Sequence, residues 1–209
     1  MWVLVPHNLA SGLFVLFIHA LRGDVEGLHA IYMRLVIGIG NPGKEYEKTR
    51  HNAGIVAIER LSEMMNSDVW KKNEKVNAYL SFRKPLAILA KPTTFMNESG
   101  KTVKKISKYF KFESVAEIVV IHDDLDLPLG SFKIQLGHGP MLHNGVNSVE
   151  KEFGSEWFLR VRLGIDNRNP ELRIPGERYV LENFSEKELE VLKKTIEEAM
   201  GELLDKYIL

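Results

Sequence analysis

Three acidic side chains lie close together in the stretch His122-Asp123-Asp124-Leu125-Asp126, directly after an apolar run of strand character. Strand ends in open α/β sheets are where ligands and reacting groups collect. A carboxylate there can accept the ring N–H of a histidine and stabilise its cation. It can equally ligate a divalent metal together with His122. The spacing leaves both alternatives open, and His138, His143 and Asn144 add candidate ligands from a glycine-containing loop.

His51 is the candidate base for such chemistry, because it lies at the mouth of a predicted helix in Thr49-Arg50-His51-Asn52-Ala53-Gly54. The partial positive charge of a helix N-terminus disfavours imidazolium. A neutral imidazole can take a proton from water near neutral pH. The alternative is a structural histidine that holds the turn, and the residue chemistry alone does not separate the two.

Gly38, Gly40 and Gly43 form a G-x-G-x-x-G pattern after a predicted strand, which is typical of a dinucleotide site. Three features count against that interpretation. Pro42 removes one backbone N–H from the loop that would hold pyrophosphate. No helical pattern opens at Gly43, and the acidic position expected about 20 residues on falls inside a predicted helix.

Phe95 and Asn97 join a predicted strand to a predicted helix in Phe95-Met96-Asn97-Glu98-Ser99-Gly100. An exposed aromatic ring offers a stacking face, and an amide beside it both donates and accepts hydrogen bonds. The alternative is that Asn97 merely caps the following helix.

The apolar pattern predicts strands that alternate with helices, which is typical of an α/β sheet covered by helices. Strands are predicted over 34–39, 79–82, 86–90, 117–121, 132–136 and 159–165. Helices are predicted over 52–65 and 97–112, and another from Ser185, where Glu188 completes a capping box. Residues 166–178 read as a loop. We expect a single α/β domain with a mixed, mostly parallel central sheet and helices on both faces.

Composition narrows the function classes. The 209 residues carry 28 Lys+Arg and 28 Asp+Glu, a formal net charge of zero, which argues against non-specific coating of nucleic acid but permits a local basic patch. The absence of cysteine excludes disulfides, a thiolate nucleophile and a cysteine zinc site.

The first 32 residues differ in character from the rest. Residues 9–21 are largely apolar but shorter than the roughly 20 residues that a membrane span needs, and no basic segment precedes them as in a secretory signal. Met33 stands immediately before the first predicted strand. We therefore expect residues 1–32 to be an extension outside the folded domain, residues 33–209 to form that domain, and no membrane partner. The alternative for the extension is a weak membrane or interface anchor.

These stretches together resemble bacterial-type peptidyl-tRNA hydrolase from about Met33 to the C-terminus. Any one of them is weak evidence, but five in order are specific. They are Gly40-Asn41-Pro42-Gly43, Thr49-Arg50-His51-Asn52-Ala53-Gly54, Thr93-Thr94-Phe95-Met96-Asn97, His122-Asp123-Asp124-Leu125-Asp126-Leu127-Pro128 and His143-Asn144-Gly145.

The resemblance implies an esterase that cleaves the peptide from tRNA without a cofactor or metal, working in the cytoplasm as a monomer. It implies that His51 is the catalytic base and that Asp123 holds and stabilises its imidazole. It implies that Asn41 senses whether the substrate amine is blocked, that Asn97 and Asn144 hydrogen-bond the peptide backbone or the water, and that Tyr46 and Phe95 line the cleft near the terminal adenosine. The lack of a cysteine or a G-x-S-x-G nucleophile fits direct attack by water.

Two departures from the family pattern affect these expectations. Where the family carries a run of glycines, this chain reads Gly137-His138-Gly139-Pro140-Met141-Leu142, which puts the placement of Asn144 in question. Gln135 replaces a lysine that often contacts tRNA. The altered loop favours an alternative function, a catalytically weak RNA-binding relative on the same fold.

A row of lysines on the second predicted helix supplies a local positive field for tRNA phosphates. The alternative is a merely solvated helix face. The predicted phosphate contacts are Lys101, Lys104, Lys105, Lys108, Lys133 and Arg162, with Lys111 at the end of the same row.

Overall fold

The computed structural model describes residues 33–112, 114–169, 171 and 174–209, and the prediction for residues 1–32 lies outside them. The strands are β1 (Arg34–Gly38), β2 (Lys71–Asn73), β3 (Ala78–Arg83), β4 (Ala87–Pro92), β5 (Ile118–Pro128), β6 (Phe132–Leu136) and β7 (Leu159–Asp166). The α-helices are α1 (Ala53–Met64), α2 (Ser99–Phe110), α3 (Asn144–Phe153), α4 (Gly176–Tyr179) and α5 (Glu186–Leu203). None of the helices in these ranges is long and apolar enough to cross a membrane.

The strands form one mixed sheet in the order β2-β3-β4-β1-β5-β7-β6. β4, β1, β5 and β7 run parallel to one another at its centre. β3 and β6 are antiparallel to their neighbours, and β2 is antiparallel to β3. The carboxyl ends of the central strands therefore meet at one edge, as the expected α/β fold requires.

Helices cover both faces of the sheet, which confirms the predicted fold class. β1 alternates between the two cores, with Val36 on the face of α1 and α5 and Leu35 and Ile37 on the face of α2 and α3. Because both faces are buried, the central strands read as continuous apolar runs. The core residues contributed by the helices include Ile58, Leu61, Leu192, Ile196 and Leu203 on the first face, and Val103, Ile106, Val146 and Val149 on the second.

The first turn of α1 approaches the sheet closely because it contains glycine. A Cβ on Gly54 would lie 2.4 Å from the carbonyl oxygen of Ile121 and 2.6 Å from that of Ile39. A Cβ on Gly38 would lie 2.2 Å from the carbonyl oxygen of Gly54. Gly38 thus serves helix–sheet packing. The contact brings the start of α1, and with it His51, to the ends of β1 and β5.

Several predicted boundaries were wrong. β5 does not end at Ile121 but continues to Pro128, so the polar stretch lies inside a strand, where it pairs with β7 through Asp124. The residues before α2 form a 3-10 turn, Met96–Glu98, and α2 starts at Ser99. α3, β2 and the four-residue α4 were not predicted. Helices α1 and α5 are confirmed, including the Ser185–Glu188 capping box.

The close approach at Gly54 predicts a large difference between two glycine-to-alanine substitutions. Gly54→Ala should lower the free energy of unfolding by about 1–3 kcal/mol, because backbone must move to admit the methyl group. Gly201→Ala in α5 is the matched control: a Cβ there meets nothing within 4 Å. It should stabilise the protein by about 0.5–1 kcal/mol. Urea unfolding measures both, and equal effects would contradict the packing argument.

Candidate active site

Asp123 is the centre of the site. Asp123 is 1% exposed. Its Oδ1 atom accepts hydrogen bonds from two histidine rings. The distance from Oδ1 to Nδ1 of His51 is 2.8 Å, and the distance to Nε2 of His143 is 2.9 Å. His51 lies in the 3-10 turn Arg50–Asn52 ahead of α1, and His143 is the N-cap of α3. One strand and two helix starts therefore converge on one carboxylate oxygen.

The three histidines around Asp123 are not equivalent. Nδ1 of His143 accepts the backbone N–H groups of Gly145 and Val146, so both of its ring nitrogens are engaged. His122 donates from Nδ1 to the backbone oxygen of Asp123, and its Nε2 is buried without a partner among the described residues. Nε2 of His51 also has no hydrogen-bond partner among the described residues, but unlike Nε2 of His122 it is not fully buried. His51 is thus the histidine of the three with a nitrogen open for chemistry.

Electrostatics sets the protonation of this group. Burial opposes the charge of Asp123, but the two histidines outweigh it and hold the pKa of that carboxyl far below its usual range. Burial alone would lower the pKa of His51, yet the charge of Asp123 and its hydrogen bond raise that pKa above the ordinary 6.5. The sequence suggested that the helix N-terminus keeps His51 neutral. In the structure the Asp123 carboxylate has the larger effect and favours the charged form of His51. Burial and neighbouring His143 move the pKa of His122 well below 6.5.

The same side chains offer metal-ligand atoms. His51, Asp123 and His143 have ligand atoms within 4.8 Å of one another. A metal needs bonds of about 2.0–2.2 Å to each nitrogen and oxygen. The nitrogen–oxygen distances of 2.8 and 2.9 Å are hydrogen-bond lengths, so an ion would have to push the atoms apart. The geometry favours histidine orientation over metal ligation.

Asn41 is clamped between two loops at the same edge of the sheet. Its Oδ1 accepts the backbone N–H of Met96 at 2.9 Å. Its backbone N–H donates to Oδ1 of Asn52 at 2.8 Å, and Nδ2 of Asn52 returns a bond to its carbonyl at 2.9 Å. Because the oxygen of the Asn41 amide is engaged, its Nδ2 is the group left to donate to a ligand.

The other predicted binding residues fall into two pairs. Tyr46 and Phe95 meet edge to face, with ring centroids 6.3 Å apart, and Phe95 is 53% exposed. Asn97 and Asn144 line one groove between α2 and α3. The N-cap of α2 is Glu98, without a side-chain cap, so Asn97 does not play the capping role that was its alternative.

Hydrogen bonds fix the loop before His143 at several points, although this loop lacks the run of glycines of the family pattern. Nε2 of Gln135 donates to the carbonyl of His138 at 2.7 Å, and Arg160 donates to the carbonyl of Gly139. The backbone N–H of Met141 donates to Oδ2 of Asp126 at 2.8 Å. Asn144, in question from the sequence, still follows directly on an anchored His143.

The predicted phosphate-binding residues differ in their surroundings. Lys105, Lys108 and Lys133 are exposed. Lys101 pairs with Glu98 at 2.8 Å, and Lys104 bonds the carbonyl oxygen and the carboxylate of Glu152, which ties α2 to α3.

Arg162 does not fit the phosphate role predicted for it. Its side chain is 10% exposed, and its Nε lies 2.5 Å from Oδ2 of Asp124. A buried guanidinium paired in this way holds β7 against β5 and does not reach a phosphate in solvent. A lone residue in a strand pattern gives no sign of its partner on the neighbouring strand.

Sequence reasoning missed three contributors to the site. His143 was noted only as a possible ligand, because the helix that it caps was not predicted. Asn52 was not singled out. Arg50 anchors the turn beside His51: its guanidinium lies 2.8 Å from Glu188 of α5 and stacks over the ring of Tyr179. Both of these partners of Arg50 are more than 100 residues away from it in sequence, and no local signal points to them.

The fold and the site define an α/β protein with a buried histidine–carboxylate pair at the edge of its sheet. Residues 35–208 match the peptidyl-tRNA hydrolase family. A peptidyl-tRNA hydrolase of Geotalea uraniireducens is 42% identical over 158 residues, covering 75% of this chain and 81% of the relative. One from a Sulfurovum species is 41% identical over 177 residues, covering 82% and 89%.

A solved structure agrees with the sequence relatives. The crystal structure of peptidyl-tRNA hydrolase from Acinetobacter baumannii is similar with a TM-score of 0.73 at 30% identity, covering 85% of this chain and 91% of that one. The chain belongs to the peptidyl-tRNA hydrolase family. It is an esterase that hydrolyses the bond between peptide and tRNA, and the predicted family, enzyme class and reaction are confirmed.

The depressed pKa of Asp123 predicts a pH-dependent loss of stability in Asp123→Asn. A carboxylate with a folded pKa below its unfolded value stabilises the fold above the unfolded pKa, and this contribution fades as pH falls towards the folded pKa. The variant should be less stable by about 1–3 kcal/mol at neutral pH. The difference should shrink below about pH 4. Urea unfolding from neutral to acidic pH tests this, and a constant difference would contradict it.

Proposed function

We propose that His51 is the general base of peptidyl-tRNA hydrolysis and that Asp123 orients its ring and stabilises the imidazolium. The observation that carries the proposal is the 2.8 Å bond between Nδ1 of His51 and Asp123, which leaves Nε2 of His51 to face a water. His143 shares the carboxylate but has no open nitrogen, so it acts as a positioning residue.

The reaction then needs no covalent intermediate. Nε2 of His51 takes a proton from water as the water oxygen adds to the ester carbonyl carbon. The tetrahedral intermediate expels the ribose oxygen, which receives the proton back from His51. The products are a free peptide carboxyl and a tRNA hydroxyl. General-base catalysis supplies about 10²–10⁴-fold, and fixed donors around the oxyanion add to it.

The asparagine amides contact the peptide side of the substrate, and the aromatic pair contacts the tRNA side. Asn41 offers Nδ2 from a fixed orientation, which suits discrimination between a blocked and a free substrate amine. Asn97 and Asn144 hydrogen-bond the peptide backbone or the water. Tyr46 and Phe95 present a partly exposed aromatic surface on which the terminal adenosine packs.

The tRNA body is held by exposed lysines. Lys105 and Lys108 on α2, and Lys133 on β6, meet phosphates in this proposal, while Lys101 and Lys104 lie in the same row with acidic partners. Each neutralised phosphate adds about 0.7–0.9 to the slope of log K against log salt. We also propose that the protein works as a monomer in the cytoplasm, where translation produces its substrate, and without a metal.

His51→Ala should lower kcat/KM for N-acetyl-aminoacyl-tRNA by about 10²-fold or more with the fold intact. His138→Ala is the matched control, because this histidine has a 72% exposed side chain and lies outside the Asp123 cluster. Near-normal activity in His51→Ala would refute the mechanism. Loss of wild-type activity with EDTA, restored by a divalent ion, would show that the cluster works as a metal site.

The raised pKa of His51 predicts the pH profile. A base is active when deprotonated, so activity should fall as pH drops through the pKa of His51, with a midpoint above 6.5. Asp123→Asn should move the midpoint downward, because the charge that raises that pKa is removed, and should also lower kcat. A midpoint that is the same in both proteins would show that another group limits the reaction.

A further inference from the structure

A polar groove continues from the proposed ester site along α2 and α3. Its volume is about 250 Å³, and Asn97 and Asn144 line it at the end nearest the site. Its floor is narrow because the helices touch: the backbone N–H of Gly100 donates to Oγ of Ser148 at 3.1 Å, and a Cβ on Gly100 would lie 2.0 Å from the Ser148 carbonyl oxygen.

The groove is lined by groups that match a peptide backbone. Asn97, Asn144 and Asn147 are exposed, and their side chains make no hydrogen bond to other described residues. Each amide offers donors and an acceptor. A peptide backbone presents both kinds of group at every residue, whereas a phosphate presents acceptors only.

The far end of the groove carries one cation without an acidic partner. Lys101 pairs with Glu98 and Lys104 with Glu152. No ion pair within the described part of the chain includes Lys151, which is exposed and lines the groove. An anionic group in the groove would therefore meet Lys151 first.

Helix geometry fixes which part of the peptide lies there. Lys151 is seven residues after Asn144 in α3, about 10 Å along the axis, and its side chain leans back towards the helix N-terminus. An extended peptide advances about 3.3 Å per residue. Three such steps cover about 10 Å, so with the ester-linked residue beside Asn144 the fourth residue, counting the ester-linked one as the first, lies near the Lys151 ammonium.

We propose that the α2–α3 groove binds the peptide part of the substrate in extended form and that Lys151 selects an acidic side chain at the fourth residue, counting the ester-linked one as the first. The inference rests on the proposed function, which puts the ester beside Asn97 and Asn144. It adds a specificity-determining residue and a preferred class of peptide.

The test uses the full chain and three substrates that differ at one side chain. They are N-acetyl-X-Gly-Gly-Ala-tRNA with X as Asp, Asn or Lys. In the wild type, kcat/KM for Asp should exceed that for Asn by about two- to fivefold, the range of an exposed ion pair, and Lys should be poorest. Lys151→Gln should abolish these differences, and Lys151→Glu should make Lys the preferred residue. Lys193→Gln, on α5 at the opposite face, should keep the wild-type order.

Three outcomes overturn the proposal. The first is a wild-type enzyme whose kcat/KM does not depend on X, and the second is a preference for Asp that survives Lys151→Gln. The third is an equal fall in kcat/KM for all three substrates in Lys151→Gln, with a salt slope lowered by about 0.7–0.9, which would assign the groove to tRNA phosphate. The double variant Lys105→Gln with Lys108→Gln shows what a phosphate defect looks like. The proposed mechanism fails separately, through an active His51→Ala.

Discussion

The structure depends on a carboxylate that is ionised where water does not reach it. Removing the charge of Asp123 from water costs free energy unless the charge is paired and hydrogen-bonded. Two histidine rings donate hydrogen bonds to this carboxylate, and each belongs to a different helix start. The requirement fixes the turn before α1 and the cap of α3 relative to β5. The packing that brings α1 close, through Gly54, serves the same arrangement.

The three histidines around Asp123 thus have different roles. Backbone N–H groups of α3 donate to Nδ1 of His143, and Nδ1 of His122 donates to the backbone oxygen of Asp123. Nε2 of His51 remains open, because its Nδ1 is the nitrogen bound to the Asp123 carboxylate. A base of this kind gains from Asp123 twice, because the carboxylate fixes the tautomer and stabilises the cation formed during the reaction. The raised pKa of His51 is the equilibrium counterpart of that stabilisation.

The sequence predicted what local patterns encode. Apolar runs marked the central strands, and the family resemblance carried by the five motifs implied that His51, Asp123, Asn41 and the aromatic pair belong to one site. It did not predict features that depend on distant partners. The helix that starts at Asn144 follows a loop that contains glycine and proline and gives no helical signal. Its N-cap, His143, is oriented by a hydrogen bond to Asp123, which is 20 residues earlier in the chain. The charge of Arg162 suggested a phosphate contact, but Asp124 on the adjacent strand engages it.

Nitrogen-15 NMR of the histidine side chains tests the central claim most directly, because it reports which ring nitrogen carries the proton. The account predicts that neutral His51 is protonated on Nδ1, titrates above 6.5 in the wild type, and titrates lower in Asp123→Asn. It also predicts that His143 is protonated on Nε2. His51 protonated on Nε2 when neutral, or a His51 titration unaffected by Asp123→Asn, would contradict it.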